Sequence, residues 1–417
     1  MLTINNNDLL SHKELLLPNN REIKVTGTID DLHILFLKQI YADVVDLSSA
    51  IDCTKDVDTK SFKGIKRIIL PDNTTGLCDF AFSFCPSLCS IYLSKSISNI
   101  GEQPFCYCNN LSSIEVDEQN EFFSSKDGVL FDKEKKKLIR CPEGQFSVYS
   151  VPEGVEEICE YAFYGCNGLK KIVLPQSLKR IGKCAFQQCE DLQVITIPDN
   201  VELINECTFF GCVKLKDVTL PKNLKRIDSE AFYGCAMLEK IEFPKAVKHI
   251  DNPFNRCVNL SSISVEDGGD TFSSNDGVVY NKQEACLSLS PTQKSQHKVA
   301  DGTRQIGRSA FELTTIENIT IADSVTKICE RAFRACYYLK EIVLPKNIKE
   351  IEDRAFDSCT NLTALTSLAV VPPKAHEFSF TFVPLDDAVL SVPSEAVDSY
   401  KSDPNWSKFK TILPLKQ

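Results

Sequence analysis

LKKIVLPQSLKRIGKCAFQQCED (residues 169–191) runs without a break into LQVITIPDNVELINECTFFGCVK (192–214), LKDVTLPKNLKRIDSEAFYGCAM (215–237) and the slightly shorter LEKIEFPKAVKHIDNPFNRCVN (238–259). With small departures the four lines obey one pattern, L-x-x-I-x-[LIVF]-P-x-x-[LV]-x-x-I-x-x-x-[AT]-F-x-x-C, so that Phe163, Phe186, Phe209 and Phe232 recur every 23 residues. Further copies start at Ile65, Leu88, Phe146, Lys294, Ile316 and Leu339. A unit of this size holds two short apolar runs and cannot enclose a core alone, so its inward side chains must be covered by the units above and below. The chain therefore reads as a β-rich solenoid in which each inward position becomes a column. Phe82, Phe105, Phe163, Phe186, Phe209, Phe232, Phe254, Phe311, Phe333 and Phe356 are expected to form an aromatic spine.

Within a rung, L-x-x-I-x-L-P predicts a short strand that Pro ends, and stacked copies predict a parallel sheet. The second half, V-x-x-I-x-x-x-A-F-x-x-C, is too short for a full helix. It predicts another short strand or bridge and then a tight turn or one helical turn around A-F. Two rungs, 111–145 and 260–293, lack A-F-x-x-C and share F-S-S-x-D-G-V-[LV]-[FY] instead. Asp-Gly and the apolar runs around the polar loops Asp132 to Lys136 and Asn281 to Glu284 predict a projecting β-hairpin in each.

The rungs occupy 65–362, between an N-terminal segment and cap (1–64) and a C-terminal cap (363–417). The first cap is expected to hold one helix over Asp31 to Gln39 between strands. In the second, Ser394 is expected to N-cap a short helix reaching about Tyr400, and Trp406 to plug the open end of the stack.

A hydrophobic fraction of 43% and a charged fraction of 25% belong to a soluble globular chain, with no apolar run long enough to span a bilayer. The formal charge of −10 argues against nucleic-acid binding, which needs a concentrated basic face. Residues 1–20 show no secretory signal. Nineteen cysteines are present, but nine of them, from Cys85 to Cys359, stand three residues after a spine Phe, and Cys78, Cys159, Cys184, Cys207 and Cys329 stand just before one. Placement by the repeat predicts buried thiols rather than a metal site or a disulfide framework.

The repeat, the D-G-V-L-[FY] inserts and the closing V-P-x-x-x-[VA]-x-x-Y-x-x-x-x-x-W resemble the BspA-like leucine-rich repeat proteins, a bacterial and protist group, over nearly the whole chain from Ile23 onward. The resemblance implies a leucine-rich repeat right-handed superhelix of about twelve rungs of 22–23 residues with two hairpin inserts and terminal caps. It also implies a surface or secreted location and attachment to a protein partner, such as host extracellular matrix or another cell-surface protein.

The chemistry expected is non-catalytic. His12, His33, His249, His297 and His376 are scattered outside any catalytic or metal motif, with His249 and His297 read as surface residues, and no phosphate-binding or nucleophile motif occurs. No cofactor and no metal are expected. The candidate binding residues are Lys179, Arg180, Lys225, Arg226 and Lys248, with Lys222 and Lys245 near them, which stacking would gather into a basic patch. A solvated face is the plainer reading of the same lysines. A carbohydrate-binding surface is the alternative, for which Tyr92, Tyr337 and Tyr338 are the exposed aromatic candidates; an enzyme would need clustered acids or histidines in a pocket.

Overall fold

The L-x-x-I-x-[LIVF]-P segments are strands, and neighbouring copies pair in parallel and in register. The computed structural model describes residues 1–18, 21–52, 62–144 and 146–415. Cys53 and Gln145, the last residue of the first long rung, lie outside the described residues. The chain divides into two compact units, one of Met1–Val201 with Asn205–Leu215, the other of Glu202–Ile204 with Lys216–Gln417.

In the first unit Ile23, Val45, Ile68, Ile91 and Ile114 are successive partners along one ladder, and all are buried. In the second, Ile342, Leu365, Leu390 and Ile412 form the equivalent column. Each such side chain contributes about 1.5–3 kcal/mol by leaving water, but only because a neighbouring rung covers it. Strands continue through both end segments, at Glu22–Ile29, Tyr41–Asp46, Val389–Val392 and Thr411–Pro414. Among the described residues the stacked turns therefore number about 17, against the about twelve that the motif marks. The end segments carry the strand pattern without A-F-x-x-C, so the motif undercounts them.

The aromatic spine is present as stacked rings. Phe163 and Phe186 lie 5.1 Å apart and Phe186 and Phe209 5.4 Å apart in the first unit. Phe311 and Phe333, and Phe333 and Phe356, are each 5.2 Å apart in the second, with ring planes within 4°. Phe62 and Phe380 extend the column beyond the motif. The second half of a rung carries the expected short strand, as at Arg180–Ile181 and Lys327–Ile328, and the segment around A-F is not a helical turn. It is a pair of tight turns with left-handed backbone on both sides of the Phe, as at Cys184 (φ 55°) and Gln188 (φ 59°), or Arg331 (φ 56°) and Ala335 (φ 55°). Rung-to-rung bonds hold that conformation, with Phe163 N–H donating to Ala185 O at 2.8 Å and Phe333 N–H to Ala355 O at 2.8 Å. Among the described residues no cysteine is in a disulfide. The ladder thiols do more than fill space: Cys189 Sγ donates to the Phe163 carbonyl at 3.1 Å, and Cys336 and Cys359 donate to the Phe311 and Phe333 carbonyls at 3.0 Å. Burial pushes the Cys189 and Cys336 thiols well up.

Each expected hairpin is a three-stranded meander, Phe123–Lys126, Val129–Asp132 and Lys137–Arg140, repeated at Phe272–Asn275, Val278–Asn281 and Cys286–Leu289. Asp127 (φ 52°) and Gly128 (φ 75°) make the two-residue turn that requires positive φ twice, which is why Asp-Gly stands there. The meanders do not project freely. Val129, Leu130 and Phe131 are buried, as are Val278, Val279 and Tyr280. The last strand of each takes the place of a rung's second short strand, pairing Leu138 with Ile158 and Leu287 with Ile306.

At the N-terminus Asp30 caps the helix Asp31–Leu37, its Oδ1 accepting from the Leu32 and His33 N–H groups. At the other end Ser394 is exposed and caps nothing; it opens a 3-10 turn to Ala396 that runs into the helix Val397–Ser402. The turn follows Pro393 and supplies the helix entry, so no side-chain cap forms. Trp406 closes its column, fully buried against Phe380 with Nε1–H donating to Pro373 O at 2.8 Å.

Candidate interaction surfaces

Period-2 strands leave alternate side chains outside. Lys171, Val173 and Thr196 in the first unit, and Lys240, Glu242, Glu341 and Val343 in the second, face solvent beside buried neighbours, and Asp217 and Thr219 face it beside the half-buried Val218. These ladders are shallow and chemically mixed. Among the described residues no group of His, Cys, Asp and Glu could hold a metal ion, and no helix is long and apolar enough to cross a membrane.

The five candidate basic residues do not fall in one compact unit. Lys179 and Arg180 belong to the first, and Lys225, Arg226 and Lys248 to the second. Four of them meet acids. Lys179 Nζ lies 2.7 Å from Glu156, Arg180 2.7 Å from Glu157 and Lys225 2.7 Å from Glu202, while Arg226 pairs with Asp228. The hydrogen bond from Lys179, then that from Lys136, holds the Glu156 carboxyl below the usual range. The rung repeat sets acid above base at matching positions, a ladder that spacing alone could not distinguish from a basic stripe. Exposed pairs of this kind add little to stability, because water and salt screen them. Lys248 is exposed and, among the described residues, has no ion-pair partner.

Of the aromatic candidates, Tyr92 is half-buried and donates to Asp117 at 3.0 Å, whereas Tyr337 and Tyr338 are exposed. The sequence reading passed over a second exposed pair, Phe84 and Tyr107, stacked at 4.7 Å. Both follow a spine Phe at the same offset, a signal that aligning the rungs would show. His249 is exposed as expected, but His297 is buried, with Nε2 2.7 Å from the Tyr280 hydroxyl and its ring 6.2 Å from Phe311. It occupies in the second long rung the place that Tyr149, 6.0 Å from Phe163, holds in the first. Stacking put it inside, where its repeat position suggested the surface.

The two long rungs also build polar features that the pattern did not announce. In the first, Arg140 and Glu143 form a buried ion pair at 2.8 Å. Burial pushes the Glu143 carboxyl up to about 7 against the pull of Arg140. In the second, a cleft of about 890 Å³ opens between the turns around Phe254 and Phe311, with Arg256, Arg308, Arg331 and Arg334 on its walls.

A family model for the BspA type leucine rich repeat region matches residues 47–138, 141–261 and 295–383, in six copies. The chain belongs to the BspA-type leucine-rich repeat family. Two solved structures share the fold of this BspA-type chain. A leucine-rich cell surface protein from Faecalibacterium prausnitzii A2-165 is 23% identical, with a TM-score of 0.54 over 86% of this chain and 90% of its own. The pneumococcal vaccine antigen PcpA is 23% identical, with a TM-score of 0.53 over 71% of this chain and 88% of its own. Among curated proteins none matches. Membership of the family supports a protein-interaction or adhesion-type role in general, and leucine-rich repeat proteins of this kind are in general non-enzymatic.

Proposed function

We propose that this BspA-type chain is a non-catalytic binding module that engages a protein partner, of the matrix or cell-surface kind, with segments 1–64 and 363–417 capping the repeats of 65–362. The observation that carries the reading is the exposed strand ladder. Side chains such as Lys171 and Val173, or Lys240 and Glu242, stand at fixed spacing on a rigid parallel scaffold, a surface suited to many shallow contacts rather than to enclosing a small molecule. Lys179, Arg180, Lys225, Arg226 and Lys248 are proposed contributors through charge. Lys248 has the largest part because no acid neutralises it among the described residues. The test is capture of matrix and cell-surface proteins by the biotinylated chain, compared with a K171E/V173R variant and a K240E/E242R variant. Loss of capture in either by about tenfold supports the ladder; capture unchanged in both moves the binding surface elsewhere.

The carbohydrate reading is favoured by one observation, the exposed Phe84–Tyr107 stack, which offers an aromatic face to a sugar ring. Glycan-array binding that disappears in F84A/Y107A would establish it, and a blank array would remove it.

A further inference from the structure

In a regular rung the residue two after the spine Phe donates its N–H to a carbonyl of the next turn. Gly165 donates to Gln187 O at 3.0 Å, Leu313 to Arg334 O at 2.9 Å and Ala335 to Asp357 O at 2.8 Å. A long rung has no A-F turn to supply that carbonyl. In the first unit a side chain does so: Tyr107 N–H donates to Glu143 Oε1 at 3.0 Å, and the same oxygen accepts from Arg140 Nη2 at 2.8 Å. Arg140 Nη1 is anchored on Tyr161 O at 2.5 Å, and the Tyr107 and Tyr164 hydroxyls meet at 2.8 Å across the gap. An internal carboxylate thus seals the place where a turn is missing.

The second long rung lacks this seal. Alignment on the shared D-G-V-[LV]-[FY] sets Arg256 at the position of Tyr107, Leu289 at that of Arg140 and Thr292 at that of Glu143. The backbone agrees, since Gly144 N–H donates to Leu111 O and Gln293 N–H to Leu260 O, and Arg256 (φ 61°) repeats the conformation of Tyr107 (φ 59°). Among the described residues no protein group accepts from the Arg256 N–H and no acid pairs with its guanidinium, which lies 5.7 Å from the Tyr233 ring centre. Where two tyrosines close the first gap, a bond of 3.4 Å from Asn252 to Glu312 crosses the second, and the cleft of about 890 Å³ remains. Arg334 is committed to Glu312 and Asp357, and Arg308 and Arg331 share Glu330, but Arg256 and Lys248 are uncommitted among the described residues.

We propose that this cleft binds an acidic polypeptide segment, one of whose carboxylates takes the place that Glu143 holds in the first unit, accepting from the Arg256 N–H beside the guanidinium groups of Arg256 and Arg308. The planar guanidinium fork matches a carboxylate. Glu230, Asp251, Glu284 and Glu312 also line the walls. They repel a polymer charged at every unit, such as a nucleic acid or a sulfated glycan, and tolerate a peptide whose carboxylates are spaced by neutral residues. The inference deepens the binding-module reading and rests on it.

The test is fluorescence anisotropy of a rhodamine-labelled peptide of alternating Asp and Gly, with the Asn-Gly isostere, a heparin octasaccharide and single-stranded DNA as further probes. The Asp peptide is expected to bind at least about tenfold tighter than the Asn peptide. L289R/T292E rebuilds the internal seal and is expected to weaken the Asp peptide by about tenfold or more, with the thermal midpoint kept or raised. R256Q/R308Q, which needs no graft to fold, is expected to do the same. Absence of Asp-peptide binding up to about 1 mM, equal affinity in both variants, or preference for heparin or DNA overturns the proposal. If L289R/T292E still captures the partner protein that the unaltered chain captures, the module reading stands and the cleft is not its site. If the Asp peptide binds as expected and no protein is ever captured, the module reading is what fails.

Discussion

Replacing Phe333 with Ala should remove the central ring of a three-ring stack. Phe333 is fully buried, with Phe311 and Phe356 each 5.2 Å away and nearly parallel. A buried Phe removes about 150–250 Å² from water, worth about 4–6 kcal/mol at ~25 cal/mol per Å², and the Ala methyl keeps only a little of it. Core Phe→Ala changes cost about 3–5 kcal/mol, because neighbours close the cavity only in part. Here the neighbours are held by rung-to-rung bonds, Phe311 N–H on Ala332 O and Phe356 N–H on Ser379 O, each at 2.8 Å, so collapse is restricted and about 4 kcal/mol is expected. The single tryptophan reports the event, since Trp406 is buried against Phe380 at the end of the same column. With a urea slope of about 2 kcal/mol per M, the midpoint followed by Trp406 fluorescence should fall by about 2 M. Lys346→Ala is the control. Lys346 and Asp323 are both exposed at 3.6 Å, and its loss should move the midpoint by about 0.25 M or less. Midpoints for the two variants within about 0.5 M of each other would refute the stacked-column account.

His297 gives the fold an acid-sensitive point. Burial and then Lys294 lower its pKa below the ordinary 6.5 against the pull of Asp276, and Tyr280 faces its other nitrogen. The unfolded chain therefore takes the proton first, so stability should be full above about pH 6.5 and decline below it by up to about 1.4 kcal/mol per pH unit. H297Y, which copies Tyr149, should flatten that slope; parallel slopes between pH 7.5 and 5.5, by urea titration, would contradict it. Gln188→Gly should stabilise by about 0.5–1 kcal/mol, since Gln188 (φ 59°) holds the left-handed backbone that Gly165 and Gly211 (φ 72° each) adopt freely at the same offset. An unchanged or lower thermal midpoint would count against turn strain. The ladder thiols should react with a thiol reagent only after denaturation, since they are buried and in no disulfide, and burial raises the pKa of Cys189 and Cys336; no reductant should be needed to expose them. A thiol count near zero in denaturant would mean disulfides.

The charge-bearing surface was less legible than the fold. Lys179 and Lys225 could be placed on successive copies from spacing, but their neutralisation by Glu156 and Glu202 depends on which rung lies against which side chain. The same holds for His297, whose repeat position pointed outward and whose ring sits in the spine because the long rung has no A-F turn to fill that column. Arg140 and Glu143 are three residues apart, and no local pattern announces that they replace a backbone acceptor.

What the sequence determined by itself was what repetition carries, the parallel strands, the Phe and Cys columns and the two long rungs, and beside these the lone Trp406 as a plug. Identical short units can bury their apolar side chains only against one another, so period and pattern leave one way to stack. What the tertiary structure alone decided was the chemistry where repetition breaks. A missing turn leaves donors without their usual carbonyl, and whether an internal carboxylate or an open, arginine-lined cleft meets them is settled by residues brought together across rungs.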